Sequence, residues 1–341
     1  MEKILSIVIP SYNTAKYMNK NLPTLLDDRI LKDVEILIIS KGSTDDTLEV
    51  ANKYALLYPD TVKVIDLEDH NDKTYVRYGS IVNKGITLST GKYIKTIDGD
   101  DWVITENFVR LVYFLKTCEA DLVINPFHFV YEKSYISKLV NFDAKDPGIK
   151  VLFDDVCGQY QKLPIHSICY KTSVLQNNKV TIRENCFYVD NEYDLFPIPF
   201  VDTICINDYP VYQYLVAQKG QSISDNNALK NHEMFYNVLI DCINNYNNNE
   251  CTLSISKKLY YQKTICELVR TQYMTYLRSG FKNDAYKKFC WFYYDFYNSY
   301  KYFFEESIKK YYYLKFIKPN KMITYAVFSL LVKGYRKVKK L

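Results

Sequence analysis

Five short apolar runs, each closed by a turn and most followed by a stretch of helical periodicity, constrain this 341-residue chain more than any other feature. They are Ile4 to Pro10, Val34 to Ile39, Val62 to Leu67, Tyr93 to Ile97 and Asp121 to Asn125. Runs of this length, rich in Ile and Val and apolar on both faces, suit strands of a parallel sheet covered on each side. The segments between them read as crossover helices. One runs from Thr14 toward Leu26 with Leu22, Leu25 and Leu26 on one side, and Asn13 or Thr14 is expected to cap it. Another opens at Thr44-Asp45-Asp46-Thr47, where carboxylates favour the helix dipole. Strand and helix in alternation predict a wound, mostly parallel α/β sheet. Residues 68 to 78 form a polar loop of a length that carries function in such units. Residues 126 to 164 lack a strong period, and 180 to 224 read as short β-like runs broken by Pro197, Pro199 and Pro210. Beyond Asp225 the texture changes to long helical patterns rich in Tyr, Asn and Lys, so the domain boundary is expected there.

The fourth strand ends in Asp98-Gly-Asp-Asp101, three carboxylates in four positions. Like charges this close raise one another's pKa unless a cation lies among them, so the cluster asks for a divalent metal with oxygen ligands. Its place at the C-terminal end of a sheet strand is also where open α/β sheets take ligands. The same residues read equally as an acidic turn.

Nine scattered cysteines with no Cys-x-x-Cys spacing argue for reduced thiols rather than disulfides or zinc. Residues 301 to 341 hold eleven Lys/Arg against two Glu, a net of +9, which leaves −4 for the first 300 residues out of the whole-chain +5. Basic character confined to a tail speaks against nucleic-acid binding. Met1-Glu2-Lys3 leads straight into a strand without a cleavage pattern, and no apolar run near the C-terminus is long enough to span a bilayer. The expectation is a cytoplasmic protein.

Several signatures now line up in order: Ile7-Val-Ile-Pro-Ser-Tyr-Asn13, Gly42-Ser-Thr-Asp-Asp-Thr47, Asn83-Lys-Gly-Ile86, and Thr90-Gly-Lys-Tyr93 leading to Asp98-Gly-Asp-Asp101. Farther on come Phe187-Tyr-Val-Asp-Asn-Glu-Tyr193 and Gly220-Gln-Ser-Ile-Ser224. Together, over roughly residues 4 to 224, they resemble the bacterial glycosyltransferase family 2. The resemblance implies a GT-A fold and transfer of a sugar, with inversion, from a nucleotide diphosphate donor, a UDP-sugar first among them. The acceptor it implies is a glycan or lipid-linked acceptor, as in building a capsule or other bacterial surface polysaccharide. It divides the chain into a GT-A domain at 1–225, with a nucleotide-sugar half at about 1–125 and an acceptor half at about 126–225, followed by a helical region at 226–341. Pro10, Tyr12, Ser40, Lys41, Asn83, Asp98 and Asp100 would meet the donor, and Asp100 and Asp101 would hold Mg²⁺ or Mn²⁺. Asp190 would be the catalytic base, with Glu192 and His166 as candidate contacts to acceptor or donor.

Two positions depart from the family pattern. Aspartate is usual before Gly-Ser, whereas this chain has Ser40-Lys41; and Val82, not Arg, precedes Asn83, so that Arg77 or Lys84 would have to replace that contact. A lysine cannot accept a hydrogen bond from a base. The alternative is therefore a catalytically degenerate GT-A domain that binds a glycan or partner. In the tail, the aromatic clusters Trp291–Tyr294 and Tyr311–Leu314 suit the core of a small bundle. The run Tyr325 to Val332, with Lys333, Arg336, Lys337, Lys339 and Lys340, equally has the make-up of an interfacial helix on the inner face of the cell membrane.

Overall fold

The computed structural model describes residues 3–67, 76–131, 136–216, 225–280 and 283–339. Gly220–Ser224 and most of the polar loop from Glu68 lie outside the described residues. The chain divides into two compact units, Met1–Cys157 with Leu163–Gln218, and Gly158–Lys162 with Lys219–Leu341.

In the first unit the predicted alternation is present: β1 (Leu5–Ser11), α1 (Ala15–Leu25), β2 (Val34–Ser40), α2 (Thr47–Leu57), β3 (Val62–Asp66), α3 (Tyr78–Leu88) and β4 (Tyr93–Thr96). Strands β3, β2, β1 and β4 lie side by side and parallel. Every residue of β1 and β2 is buried, as continuous apolar strands require. Glu35 is the exception in chemistry. It lies in β2 without exposure and accepts from the Ser6 hydroxyl at 2.6 Å, the Thr90 amide at 2.6 Å and Lys63 Nζ at 3.0 Å. Burial pushes its carboxyl up, but these donors outweigh it and hold the group below the usual range.

The chain continues through β5 (Trp102–Val103), α4 (Thr105–Thr117), β6 (Leu122–Ile124), β7 (Phe127–Tyr131), β8 (Ile136–Val140), β9 (Lys150–Leu152) and α5 (Phe153–Val156). Then come β10 (Ile168–Lys171), α6 (Thr172–Asn177), α7 (Asp190–Leu195), β11 (Thr203–Ile206) and β12 (Tyr212–Val216). The main sheet has eight strands in the order β3-β2-β1-β4-β10-β6-β11-β9, with β10 antiparallel to both neighbours. A second sheet runs β5-β12-β7-β8.

Two local expectations are corrected. Neither Asn13 nor Thr14 caps α1 through its side chain. Thr47 Oγ1, from the start of α2, accepts from the Thr14 and Ala15 amides at 2.8 and 3.1 Å, so the first residue of the next helix supplies the cap. Among the described residues of 180–224, β-structure is confined to β11 and β12, and residues 190 to 195 are helical. There Asn191, Glu192, Tyr193, Asp194 and Leu195 are buried in succession, a pattern of tertiary enclosure that overrides periodicity.

The second unit is helical: α8 (Asp225–Lys230), α9 (His232–Asn249), α10 (Ile255–Arg278), α11 (Asn283–Ser299), α12 (Lys301–Lys310) and α13 (Met322–Lys339). Ser254 Oγ caps α10 by accepting from the Lys257 amide at 3.1 Å. Tyr260, Tyr261, Tyr273 and Tyr276 of α10 are buried, and the rings of Tyr273 and Tyr276 pack against Phe289 and Phe292 of α11. The Tyr273 and Phe292 rings meet edge-on at 5.5 Å and 87°. Tyrosine thus supplies core volume here, although Trp291 and Tyr294 of the cluster are exposed. The nine cysteines are free thiols. Among the described residues no helix is long and apolar enough to cross a membrane.

Candidate active site

The site forms where β4 runs out. Ile97 still donates to Val8 O at 2.9 Å, and the chain then turns tightly, with the Asp101 amide donating to Asp98 O at 3.0 Å. Gly99 at the apex has no side chain for a reason of space: a Cβ there would lie 2.8 Å from Thr14 Cγ2 and 3.0 Å from Pro10 O. Asn21 Nδ2, from α1, donates to Asp98 O at 3.2 Å and to Asp101 O at 2.5 Å, which fixes the turn from below.

Beyond the turn, β5 pairs antiparallel with β12, aligning Tyr212 with Val103. That register brings the Tyr212 hydroxyl between the two ends of the turn. It accepts from the Asp98 amide at 3.0 Å and donates to Asp101 Oδ2 at 2.5 Å, while the Leu215 amide donates to Asp101 Oδ1 at 2.7 Å. Tyr78, at the start of α3, donates to Asp98 Oδ1 at 3.0 Å. Burial first, then the neighbouring Asp100 charge, pushes the Asp98 carboxyl up to about 7. Asp100 is raised by burial, and Asp101 is raised well above the usual carboxylate range by burial and by Asp98 and Asp100.

A third ligand-bearing side chain joins them. Oxygen atoms of Asp98 and Asp101 and a ring nitrogen of His166 all lie within 4.8 Å of one another. The His166 ring is stacked on Tyr214 at 4.0 Å and on Phe127 at 5.2 Å, and meets Tyr212 edge-on at 5.0 Å. Below it, the buried Lys95 of β4 donates to His166 O at 2.9 Å and Ile168 O at 3.2 Å, and burial holds its ammonium below the ordinary lysine range. Two carboxylates and an imidazole within one cation's reach suit a divalent metal; the mixed oxygen and nitrogen donors favour Mn²⁺ over Mg²⁺. Asp100 is not in this group. It lines the adjoining cavity instead.

That cavity, about 340 Å³ in volume, is lined by Pro10, Tyr12, Asn13, Arg77, Tyr78, Asp98 and Asp100 among others. The Arg77 guanidinium lies 4.2 Å from the centre of the Tyr12 ring, a cation–π contact on the cavity wall. Ser40 and Lys41 do not line it; Ser40 is buried, its hydroxyl 2.8 Å from that of Ser43. Asn83 faces away as well, exchanging hydrogen bonds with the Ile182 amide and carbonyl at 2.9 Å each. Of the two replacements considered for the missing arginine, Arg77 reaches the cavity and Lys84 is exposed outside it.

Asp190 is the first residue of α7, after a loop in which Asn185 and Tyr188 hold positive φ angles of 55° and 68°. Such backbone is kept where surroundings over-determine it. The Asp190 charge is close enough to contribute to the raised pKa values of Asp98, Tyr78 and Tyr214. Glu192 is fully buried and accepts from the Arg183 amide at 2.6 Å, so its carboxylate supports the segment before α7. Tyr78, Tyr212, Lys95 and Asn21 carry no sequence signal that distinguishes them; Tyr78 and Tyr212 are two of 34 tyrosines.

Residues 6–175 match the glycosyl transferase family 2. A poly(ribitol-phosphate) beta-glucosyltransferase of Bacillus spizizenii is 25% identical over 243 residues, 70% of this chain and 36% of the relative. The poly(ribitol-phosphate) beta-N-acetylglucosaminyltransferase TarS of Staphylococcus aureus is 21% identical over 236 residues, 69% of this chain and 39% of the relative. This chain spans about a third to three fifths of the length of the curated relatives it matches. The crystal structure of S. aureus TarS 1–349 superposes with a TM-score of 0.61 at 14% identity, covering 98% of this chain and 91% of that one. The same protein in complex with UDP gives 0.57 at 16% identity, covering 80% and 72%. These likenesses show a shared fold.

Proposed function

We propose, from the premise that this chain belongs to glycosyl transferase family 2 through residues 6–175, that it is a metal-dependent inverting glycosyltransferase. It takes a sugar from a nucleotide diphosphate, a UDP-sugar, and passes it to a glycan or lipid-linked acceptor of the bacterial surface, at the inner face of the cell membrane. The observation that carries the reading is the convergence of Asp98, Asp101 and His166 beside a cavity walled by Tyr12 and Arg77. The names of two relatives, both acting on poly(ribitol phosphate), support a surface polymer as acceptor.

On this reading residues 1–125 hold the donor and 126–225 meet the acceptor. Tyr12 offers a ring face to the nucleobase, and Arg77 reaches the same pocket as the cation that Ser40-Lys41 and Val82 do not supply. Asp98, Asp101 and His166 would hold Mn²⁺ or Mg²⁺, which when bound neutralises charge developing on the departing diphosphate. Asp100, on the cavity wall, is oriented by the same turn toward sugar or ribose hydroxyls. Asp190 accepts the proton of the incoming hydroxyl, the role an inverting transfer needs on the far side of the sugar. Tyr78 and Tyr212 keep Asp98 and Asp101 in register by hydrogen bonds at 3.0 and 2.5 Å.

Calorimetric titration of UDP, GDP and CDP, each with and without Mn²⁺, tests this. UDP is expected to bind at least about tenfold more tightly with the metal, a coupling of roughly 1.4 kcal/mol or more. Equal binding of every nucleotide irrespective of metal would leave the site as a binding module without the proposed chemistry.

A further inference from the structure

We propose that the outward face of α13 docks on an anionic lipid bilayer. The helix is apolar on two sides. Tyr325 and Ser329 face inward, donating from their hydroxyls to Tyr276 O at 2.9 Å and Leu277 O at 2.7 Å of α10. The opposite side carries Ile323, Val327, Leu330 and Leu331, which are 81, 48, 68 and 61% exposed. Their spacing, i, i+4, i+7 and i+8, puts them on one stripe about a quarter to a third of the circumference wide. The inward contacts already anchor the helix, so the outer stripe contributes nothing to the unit's own core. Exposed apolar surface of this kind, continuous along a helix, marks an interaction site.

Charge selects the occupant. From Ser307 to the end of the chain the sequence holds ten Lys/Arg and no Asp or Glu. Lys315, Lys318 and Lys321 precede α13, and Arg336, Lys337, Lys339 and Lys340 follow the stripe in sequence. Tyr312 and Phe316, exposed in the turn before the helix, add aromatic side chains of the type that settle at headgroup level. An apolar stripe between cationic segments fits a surface with an oily interior and anionic headgroups; a protein surface would have to supply both across the same span. The proposal rests on the reading above only for where the acceptor lies, and no part of the donor site enters its test.

The test uses the full chain and sedimentation with vesicles of phosphatidylcholine alone or mixed with phosphatidylglycerol. Wild type is expected to pellet with the mixed vesicles, to stay in solution with the neutral ones and to be released by high salt. The combined variant Ile323→Ser, Leu330→Ser, Leu331→Ser should lose vesicle binding by about tenfold or more. Its thermal midpoint and UDP affinity should match wild type, because the three side chains are solvent-exposed. Wild type that stays in solution with both vesicle types, or a variant that pellets as well as wild type, overturns the proposal. So does a wild-type dimer in light scattering that the variant makes monomeric without any vesicle binding, since the stripe then meets a second copy. In each of these outcomes retained metal-dependent UDP binding would leave the glycosyltransferase reading standing.

Discussion

Asp190→Asn is expected to slow donor turnover by about 100- to 10,000-fold, the range lost with a general base, while leaving UDP affinity within about twofold of wild type. The side chain keeps its shape and its place at the start of α7, and loses only the ability to take a proton. UDP binds without needing that proton transfer, so affinity and rate should separate. The separation is the informative result. Turnover of a UDP-sugar, with water as acceptor, and a calorimetric UDP titration measure the two quantities on the same preparation. Removal of the Asp190 charge should also lower the pKa of Asp98 slightly, because Asp190 is among the charges that raise it. A variant with undiminished turnover would assign the base elsewhere; one whose UDP affinity falls in step with its rate would make Asp190 a binding residue.

Asp98→Asn carries the second large effect, and it has two signs. In Mn²⁺ the variant should bind UDP no better than wild type does without metal, and turnover should fall by about a thousandfold, several kcal/mol of transition-state stabilisation. Without metal, and above neutral pH, the same variant should melt at a higher temperature than wild type. The reason is linkage. The Asp98 carboxyl is raised to about 7 in the folded protein, mainly by burial and by Asp100. A carboxyl whose folded pKa exceeds its unfolded value of about 3.9 binds protons more tightly in the native state. Its stabilising contribution is complete below about pH 4 and is lost as pH rises to about 7, on the order of a few kcal/mol for the metal-free protein. The asparagine variant lacks that loss, so the two melting curves should diverge between about pH 4 and about 7 and run parallel above it, as judged from the raised pKa. Parallel curves over that range, with Mn²⁺ coupling intact, would remove Asp98 from the site.

The order of helices and strands in the first half was legible because each strand of the parallel sheet announces itself by an unbroken apolar run. β1 and β2 are buried at every position, and their sequences read that way. The acidic turn was legible for a related reason, since its three aspartates are adjacent in the chain. What was not legible depends on pairing across long separations. Tyr212 reaches Asp101 over 111 positions through the β5–β12 register, and His166 meets the turn because Lys95, from the strand before it, holds the carbonyl of residue 166. No local pattern around Tyr212 sets it apart from Tyr214 or Tyr209. Ser40 and Lys41 show the converse. They stand beside a motif in sequence, yet Ser40 is buried against Ser43 and neither residue lines the cavity, where Tyr12 and Arg77 stand instead. The β-like reading of 180–224 failed where Asn191 to Leu195 are enclosed one after another, a degree of burial that a six-residue helix cannot advertise through periodicity.

If Asp98, Asp101, His166 and Asp190 together carry out an inverting sugar transfer, the configuration of the sugar released first reveals it. Wild-type protein is incubated with α-linked UDP-glucose and UDP-N-acetylglucosamine in Mn²⁺, and the released or transferred sugar is followed by proton NMR from the first turnover. Consumption of a donor is expected to stop on chelation of the metal, with the β-anomer appearing first. A product that first appears as the α-anomer, or a protein that binds UDP with Mn²⁺ yet turns over neither these nor any other nucleotide sugar, would contradict it.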